Sequence, residues 1–361
     1  MLSPDETVKN SRTIVLRGFY GKGNMGDEAL LRSILSHLGQ EFNYKISVNT
    51  PGTPKDDWRK RFPYSQHTII SSLARGKVMS PEVSTFFLGG GGLGLGFGYD
   101  QLICARRAGK AFIHSGVHIH DDFFEGKDKD FLQATRSMLL LANMTTVRDK
   151  FSLESLNKYD IPGEFLPDWA FGLESEVWSP PVPEKYVVVT FRRRPPNDAE
   201  LIKPWLFEMQ RFIDALGAKM VVLPFDKGDA MLTKMLGFSD LNVPDLYFSP
   251  EKAKYLISKA LAVVSFGRFH PIVFGLSEHV PTFSVDYWYA KESKHKTSLL
   301  LREEGFGDSI FHQGNFVDFT SERLMRTTHE MAGALTDGRF NEYKAMIDQS
   351  SQKMRAIANQ H

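Results

Sequence analysis

The chain has 361 residues, 44 Lys plus Arg against 43 Asp plus Glu, 42% hydrophobic and 24% charged residues, and a single cysteine, Cys104. That length exceeds what one hydrophobic core usually serves, so two domains of ordinary size are expected. The balanced charge leaves no net field to hold nucleic acid or an anionic bilayer, and a lone cysteine excludes an intrachain disulfide and a Cys-based zinc site.

The polar leader Met1 to Asn10, with Asp5 and Glu6, lacks the basic start and apolar centre of a signal peptide and reads as a disordered tail over residues 1–11. The apolar runs fall short of the roughly 20 residues of a membrane-spanning helix. A cytoplasmic enzyme is expected, touching the inner membrane face at most peripherally.

Thr13 to Leu16 is a β-branched run that feeds Gly18-Phe-Tyr-Gly-Lys-Gly-Asn-Met-Gly26 and then an amphipathic stretch from Asp27 to Leu38: strand, glycine-rich turn, helix. Strands follow near Lys45 to Asn49 and at Ser84 to Leu88, then the run Gly89 to Gly98, a helix over Gln101 to Ala108 and a strand at Ala111 to Ser115. A helix over Phe131 to Ala142, a strand at Met144 to Val147 and a helix from Ser152 to Tyr159 complete this series. Three prolines in Trp178-Ser-Pro-Pro-Val-Pro183 fit neither element and mark a stiff linker over residues 179–185. A second series then runs through Val187 to Phe191, Leu201 to Leu216, Lys219 to Leu223, Pro250 to Ser258, Leu261 to Ser265, a helix after Pro271, and Thr282 to Val285. The tail from Glu322 to Gln360 is helical in pattern and can pack back across a cleft. Alternating β and α predict two α/β domains, residues 12–178 and 186–320, each a doubly wound parallel sheet, followed by C-terminal helices over 321–361. Ligands then belong in the cleft, at the carboxyl ends of the strands.

Four groups of residues can carry chemistry. Gly18, Gly21, Gly23, Asn24, Gly26, Asp27 and Glu28 lie between strand and helix, where glycines admit a ligand to backbone N–H groups. Their spacing fits neither the dinucleotide fingerprint nor the P-loop, and a plain tight turn with Asp27 and Glu28 facing the helix dipole reads equally well. The glycine run that includes Gly90 and Gly91 suggests a sharp bend or bare backbone against a substrate, with a mobile surface loop as the alternative. Arg148, the run Arg192-Arg193-Arg194, and Arg268 each follow a predicted strand, where guanidinium forks bind carboxylate or phosphate. Arg194, beside Pro195 and Pro196, reads as a surface pair. His270 enters a helix, whose positive end lowers an imidazole pKa towards what a general acid or base requires. His114, His118 and His120 alternate like a metal array, but no accompanying ligand pattern supports one, and no metal is expected.

The stretch Gly18 to Leu31, with Gly89-Gly-Gly-Gly92, Val147-Arg-Asp-Lys-Phe-Ser-Leu153, Pro167-Asp-Trp-Ala170, Gly267-Arg-Phe-His270, Gly275 and Val280-Pro281, resembles the polysaccharide pyruvyltransferase family, in family order from residue 12 to about residue 300. The resemblance implies two Rossmann-like domains arranged as in GT-B glycosyltransferases, an N-terminal acceptor side, a C-terminal donor side, phosphoenolpyruvate as donor without further cofactor, and a sugar acceptor, lipid-linked or polymeric. His270 would then shuttle the proton, Arg268 hold phosphate, Arg148 with Arg192 or Arg193 hold the donor carboxylate, and Asp27 orient the acceptor or act as base. Gly21, Gly23, Asn24, Gly90, Gly91 and Lys291 complete the expected binding residues. Ser115-Gly-Val-His-Ile-His-Asp-Asp122 departs from the family's Gly-rich, proline-ended segment, and Asp286-Tyr-Trp-Tyr-Ala-Lys291 from its Tyr-x-x-Lys pattern, with Lys291 taken as the matching lysine. A GT-B glycosyltransferase with a nucleotide-sugar donor, or a catalytically silent glycan-binding protein of the same fold, are the competing readings.

Overall fold

The computed structural model describes residues 12–47, 68–70, 81–93, 99–119, 129–194, 198–239, 246–289, 295–335 and 337–361. Its first sheet has strands β1 (Thr13–Arg17), β2 (Asn43–Ser47), β3 (Thr68–Ile70), β4 (Val83–Gly89), β5 (Gly92–Leu93), β6 (Ala111–Ile119), β7 (Met144–Val147) and β8 (Glu164–Phe165) in the order β3-β2-β1-β4-β6-β7-β8, with β5 paired to β6. The second has β9 (Tyr186–Phe191), β10 (Lys219–Val222), β11 (Ala262–Phe266), β12 (Thr282–Asp286) and β13 (Ile310–His312) in the order β10-β9-β11-β12-β13. Every recorded pairing is parallel. The apolar run of β4 is buried along its whole length, as a central parallel strand covered on both faces must be.

The helices are α1 (Met25–Leu38), α2 (Tyr99–Arg107), α3 (Lys129–Leu139), α4 (Lys150–Lys158), α5 (Asp198–Ala215), α6 (Lys227–Met235), α7 (Pro250–Ser258), α8 (His270–Ser277), α9 (Lys296–Glu303), α10 (Ser321–Ala334) and α11 (Asp337–Gln360). None of them is long and apolar enough to cross a membrane. The sheet changes between β8 and β9, and the proline segment lies in that gap. It is tied to α7, since the Trp178 indole donates to the Lys252 carbonyl at 2.8 Å.

The two sheets share a core. Leu16, Leu30 and Ile34 from the first half belong to the same buried cluster as Val188, Ile272 and Phe274 from the second. A backbone bond crosses the seam, from Met25 N–H at the start of α1 to the Phe225 carbonyl at 2.9 Å. The amino end of α1 is thereby pinned beside the carboxyl ends of the second sheet. The tail returns over both halves: Arg339 pairs with Glu304 at 2.7 Å, and Lys353 pairs with Glu164 at 2.7 Å.

Sequence and structure differ in places. The strand expected near Lys45 to Asn49 occupies Asn43–Ser47. β6 does not stop at Ser115 but continues to Ile119, where His118 and Ile119 pair with Gly92 and Leu93 of β5. α6 was not expected, because Gly228 near its start and the exposed Met231 and Met235 blur its amphipathic pattern; Asp226 starts it by accepting from Asp229 N–H at 3.0 Å.

Phe171 is 1% exposed and stacks on Phe340 of α11 with ring centroids 5.7 Å apart. Phe171→Ala should cost about 3–5 kcal/mol by opening a cavity under α11. Urea unfolding measures it, and a cost below about 1 kcal/mol would mean that α11 does not depend on this contact.

Candidate functional site

The site forms where the carboxyl ends of both sheets meet at the start of α1. The turn after β1 is built around a buried carboxylate: Glu28 Oε1 accepts from Gly21 N–H at 2.8 Å. Burial foremost pushes the Glu28 pKa up to about 8, against the pull of the Gly21 N–H bond. Asn24 caps α1 by accepting from Gly26 N–H at 3.1 Å. Gly23, at φ +69°, lies against Phe248, whose ring would sit 3.3 Å from an added Cβ, and an added Cβ at Gly90 would lie 2.3 Å from Leu30. Both positions hold a positive φ, +69° at Gly23 and +68° at Gly90, which favours glycine there whatever the space around them. Gly91 has more open surroundings than Gly23 or Gly90, with Phe19 at 3.8 Å from an added Cβ.

Gly26 has a different neighbour. A Cβ there would fall 1.8 Å from His270 Nδ1, so the absent side chain is what lets the His270 ring of the second half lie on the first turn of α1. His270 is the first residue of α8, and its Nε2 approaches Asp168 Oδ1 at 3.8 Å without making a hydrogen bond among the described residues. Burial, helped by Arg148, Lys296 and Arg268, drives its pKa down to about 3 against the pull of Asp168, so the ring is neutral at pH 7. The lowering goes well past the general acid–base range expected from the sequence, and burial with the neighbouring cations, rather than the helix end, is its cause.

Arg148 and Asp168 form an ion pair at 2.7 Å in which both side chains are 1% exposed. Asp168 also accepts from Ala170 N–H at 3.0 Å, which fixes its carboxylate, and the Arg148 guanidinium lies over the Phe269 ring at 4.6 Å. The Lys296 ammonium lies over the same ring at 5.3 Å. Burial, with Arg148 and Arg192 nearby, holds the Lys296 pKa well below the usual lysine range, while Asp27 and Asp168 oppose this. Arg192 is half-buried and donates to the Gly267 carbonyl at 3.4 Å; burial and the neighbouring Arg194 and Arg268 lower it to about 10. Asp27 is raised to about 6 by burial, although Lys296, Arg268 and Arg148 pull it down. His270, Arg148, Asp168, Lys296, Arg192 and Asp27 thus form one electrostatic cluster.

Some expected residues play other parts. The Arg268 fork is already filled: Nε donates to Asp229 Oδ2 at 2.7 Å, Nη2 to Asp229 Oδ1 at 2.6 Å, and Nη2 also to Asp226. Bidentate phosphate binding, expected from the sequence, does not fit this geometry; Arg268 instead braces the loop carrying Phe269 and His270 against α6. Arg193 is exposed, with its Nη1 3.1 Å from the Met231 sulfur, and so leaves the cluster. Arg194 stacks over Trp288 at 4.4 Å, and Tyr287 is fully buried, donating to the Arg192 carbonyl at 2.7 Å, so this aromatic tract is packing. Lys291, His120 and Gly94 to Gly98 lie outside the described residues. His114 is buried and neutral, its pKa lowered to about 4 by burial, and packs edge-on against Phe112 at 4.8 Å. His118 pairs with Asp149 at 2.7 Å, and no group of three metal-ligating side chains occurs among the described residues.

Sequence reasoning missed Asp168 as a site residue and missed Lys296. A signal for Lys296 was present: a lysine at the first position of a helix faces the positive end of the dipole, an unfavourable placement that invites a functional reason. A cavity of about 970 Å³ lies elsewhere, between the far end of α1 and β2, walled by the Lys45–Glu82 and Arg32–Glu251 ion pairs.

Gly26→Ala should lower the melting temperature by several degrees although alanine favours a helix over glycine by about 1 kcal/mol, because the His270 ring must move. The imidazole signals of His270 in NMR should shift and titrate nearer the ordinary range; an unchanged spectrum would remove this contact from the account.

The comparisons with known proteins agree with this architecture. Among solved structures the chain is similar to the UDP-GlcNAc 2-epimerase of Methanocaldococcus jannaschii (TM-score 0.56, 8% identity, covering 95% of this chain and 99% of that one). It is also similar to Staphylococcus aureus MnaA with UDP (0.55, 10%, 92% and 94%) and to the calicheamicin glycosyltransferase CalG4 (0.50, 10%, 97% and 98%). Identities this low establish the fold, two Rossmann-like domains in a GT-B-like arrangement. No curated protein sequence matches the chain. The model of one family, polysaccharide pyruvyl transferase, matches residues 24–289, from the cap of α1 to the end of the aromatic tract, and so takes in Asp27, Arg148, Asp168, Arg192 and His270. The chain belongs to the polysaccharide pyruvyl transferase family.

Proposed function

We propose that this protein transfers the pyruvyl group of phosphoenolpyruvate to a pair of hydroxyls on a sugar, forming a ketal and releasing phosphate. The observation that carries the reading is the convergence of Arg148, Arg192 and Lys296 around a neutral imidazole at the seam of the two halves. Three cationic side chains with Asp168 committed to one of them leave an excess of positive charge in a half-buried place, suited to a small ligand bearing both carboxylate and phosphate.

The chemistry needs a proton delivered to the methylene carbon of the donor, which leaves an oxocarbenium-like centre at the adjacent carbon. One sugar hydroxyl attacks that carbon and loses its proton. The bond to the bridging phosphate oxygen then breaks, phosphate departs, and the second hydroxyl closes the ketal with loss of its own proton. Of the two hydroxyl protons, one replaces that spent on the methylene and one leaves on phosphate, so the step balances. His270 is assigned the proton shuttle, since binding of an anion raises its pKa towards the working range. Lys296 and Arg192 are assigned the donor's anionic groups, Arg148 the far side of the donor through its stacked guanidinium, and Asp27 the acceptor hydroxyl. Arg268 acts through the loop it braces. The acceptor is read as a glycan, lipid-linked or polymeric, met on the N-terminal side.

Donor binding has a proton signature. His270 and Lys296 both sit below their ordinary pKa values and Asp27 sits above its own, and a bound anion shifts all three upward. Phosphoenolpyruvate should therefore raise the melting temperature in metal-free buffer while taking up protons near pH 7, measured by calorimetry in buffers of different ionisation enthalpy. Proton release, or stabilisation by UDP-hexose with none by phosphoenolpyruvate, would overturn the donor assignment.

With phosphate release as the assay, His270→Gln should cut turnover about a hundredfold or more while phosphoenolpyruvate still binds. Retained turnover in a folded variant would take His270 out of the chemistry.

A further inference from the structure

Lys296 belongs to the first turn of α9, and that turn is held in an unusual way. The residue at its cap, His295, makes no side-chain capping bond to the helix. In place of a cap, the turn hangs from Asp286, the last residue of β12 and only 1% exposed. Asp286 Oδ1 accepts from Thr297 Oγ1 at 2.9 Å, and Oδ2 accepts from Ser298 Oγ. His295 Nδ1 stands 3.4 Å from Oδ1 and 2.6 Å from Thr297 Oγ1, and Ser284 Oγ adds a donor to Oδ1 at 3.3 Å. One buried carboxylate thus grips residues 295, 297 and 298, the positions on either side of the lysine. Its backbone carbonyl also accepts from Tyr289 N–H at 3.1 Å, which fixes the departure of the chain from the sheet.

The strand end is rigid and the helix start is not self-capped, so the direction of the Lys296 stem is set by this grip. A lysine stem has four rotatable bonds and little directional preference of its own. Holding its backbone is the means open to a fold for aiming its charge. The carboxylate also places a negative charge at the positive end of α9, which offsets the repulsion that the ammonium meets there.

We propose that Asp286 is a positioning residue: through Thr297, Ser298 and His295 it fixes the first turn of α9 and so aims the Lys296 ammonium at the anionic donor beside Phe269. This rests on the reading of Lys296 as a donor ligand, and the two can fail separately.

The test is a double-mutant cycle on the full chain, with wild type, Asp286→Asn, Lys296→Met and the double variant compared for KM and kcat with phosphoenolpyruvate and for its affinity by calorimetry. Asp286→Asn should raise KM for phosphoenolpyruvate about tenfold or more with a smaller fall in kcat, and should add little in the Lys296→Met background, because residues that act through one another are not additive. Independent, multiplying effects would overturn the positioning role while leaving Lys296 a donor ligand. Unchanged donor affinity in Lys296→Met would overturn the donor reading of Lys296 and this inference with it. Should Asp286→Asn fail to fold, Thr297→Val keeps the shape and the carboxylate while removing one link. It should raise the same KM in the same non-additive manner, and an unchanged KM in that variant would sink the proposal.

Discussion

The arrangement depends on how closely the two halves approach at Gly26. With no Cβ on that residue, the His270 ring of the second half rests on the first turn of α1 in the first, and the Met25 to Phe225 backbone bond closes the seam beside it. A larger residue at position 26 would move His270 relative to Arg148 and Asp168. Gly23 serves the same end, letting Phe248 of the second half pack against the loop, while Gly90 meets Leu30 within the first half. What looks from composition like a ligand cradle is in large part a means of bringing two sheets together.

Charge is distributed with the same economy. Two of the cations have dedicated carboxylates: Arg148 has Asp168, and Arg268 has Asp229 and Asp226. In a buried place, removing one member of such a pair leaves the other uncompensated, typically at about 3–5 kcal/mol, so these pairs are chiefly structural commitments. Among the described residues, Lys296 and Arg192 have no carboxylate in an ion pair of this kind. Burial presses both down from their ordinary pKa values, and the same pressure makes an incoming anion welcome. On the proposed reading, Arg268 only builds, Lys296 and Arg192 receive the donor, and Arg148 does both, bound to Asp168 and stacked on Phe269.

The C-terminal helix joins this design from outside. Its start grips the end of α9 through Arg339 and Glu304, and its far end pairs with β8 through Lys353 and Glu164. The helix that carries Lys296 and the sheet that carries Arg148 are thus linked both through the shared core and along the surface.

Much of this was legible in the sequence. Strand and helix alternation, the break at the prolines, the glycine-rich entry to α1, and the placement of Arg148, Arg192 and His270 after strand ends all follow from local chemistry and periodicity. Helix α6 was hidden by its exposed methionines, and Lys296 by its distance from any motif. Arg193 and Arg268 looked equivalent to Arg148, since a fork after a strand end reads the same whatever it faces. The sequence by itself determined the fold class and the kind of groups that gather at the strand ends, because hydrophobic period, caps and breakers act over a few residues. Only the tertiary structure decided which arginine is spent on Asp229, which is stacked on Phe269, and that a lysine from α9 joins them, because partners 27 to 121 residues apart are chosen by packing, which no local pattern records.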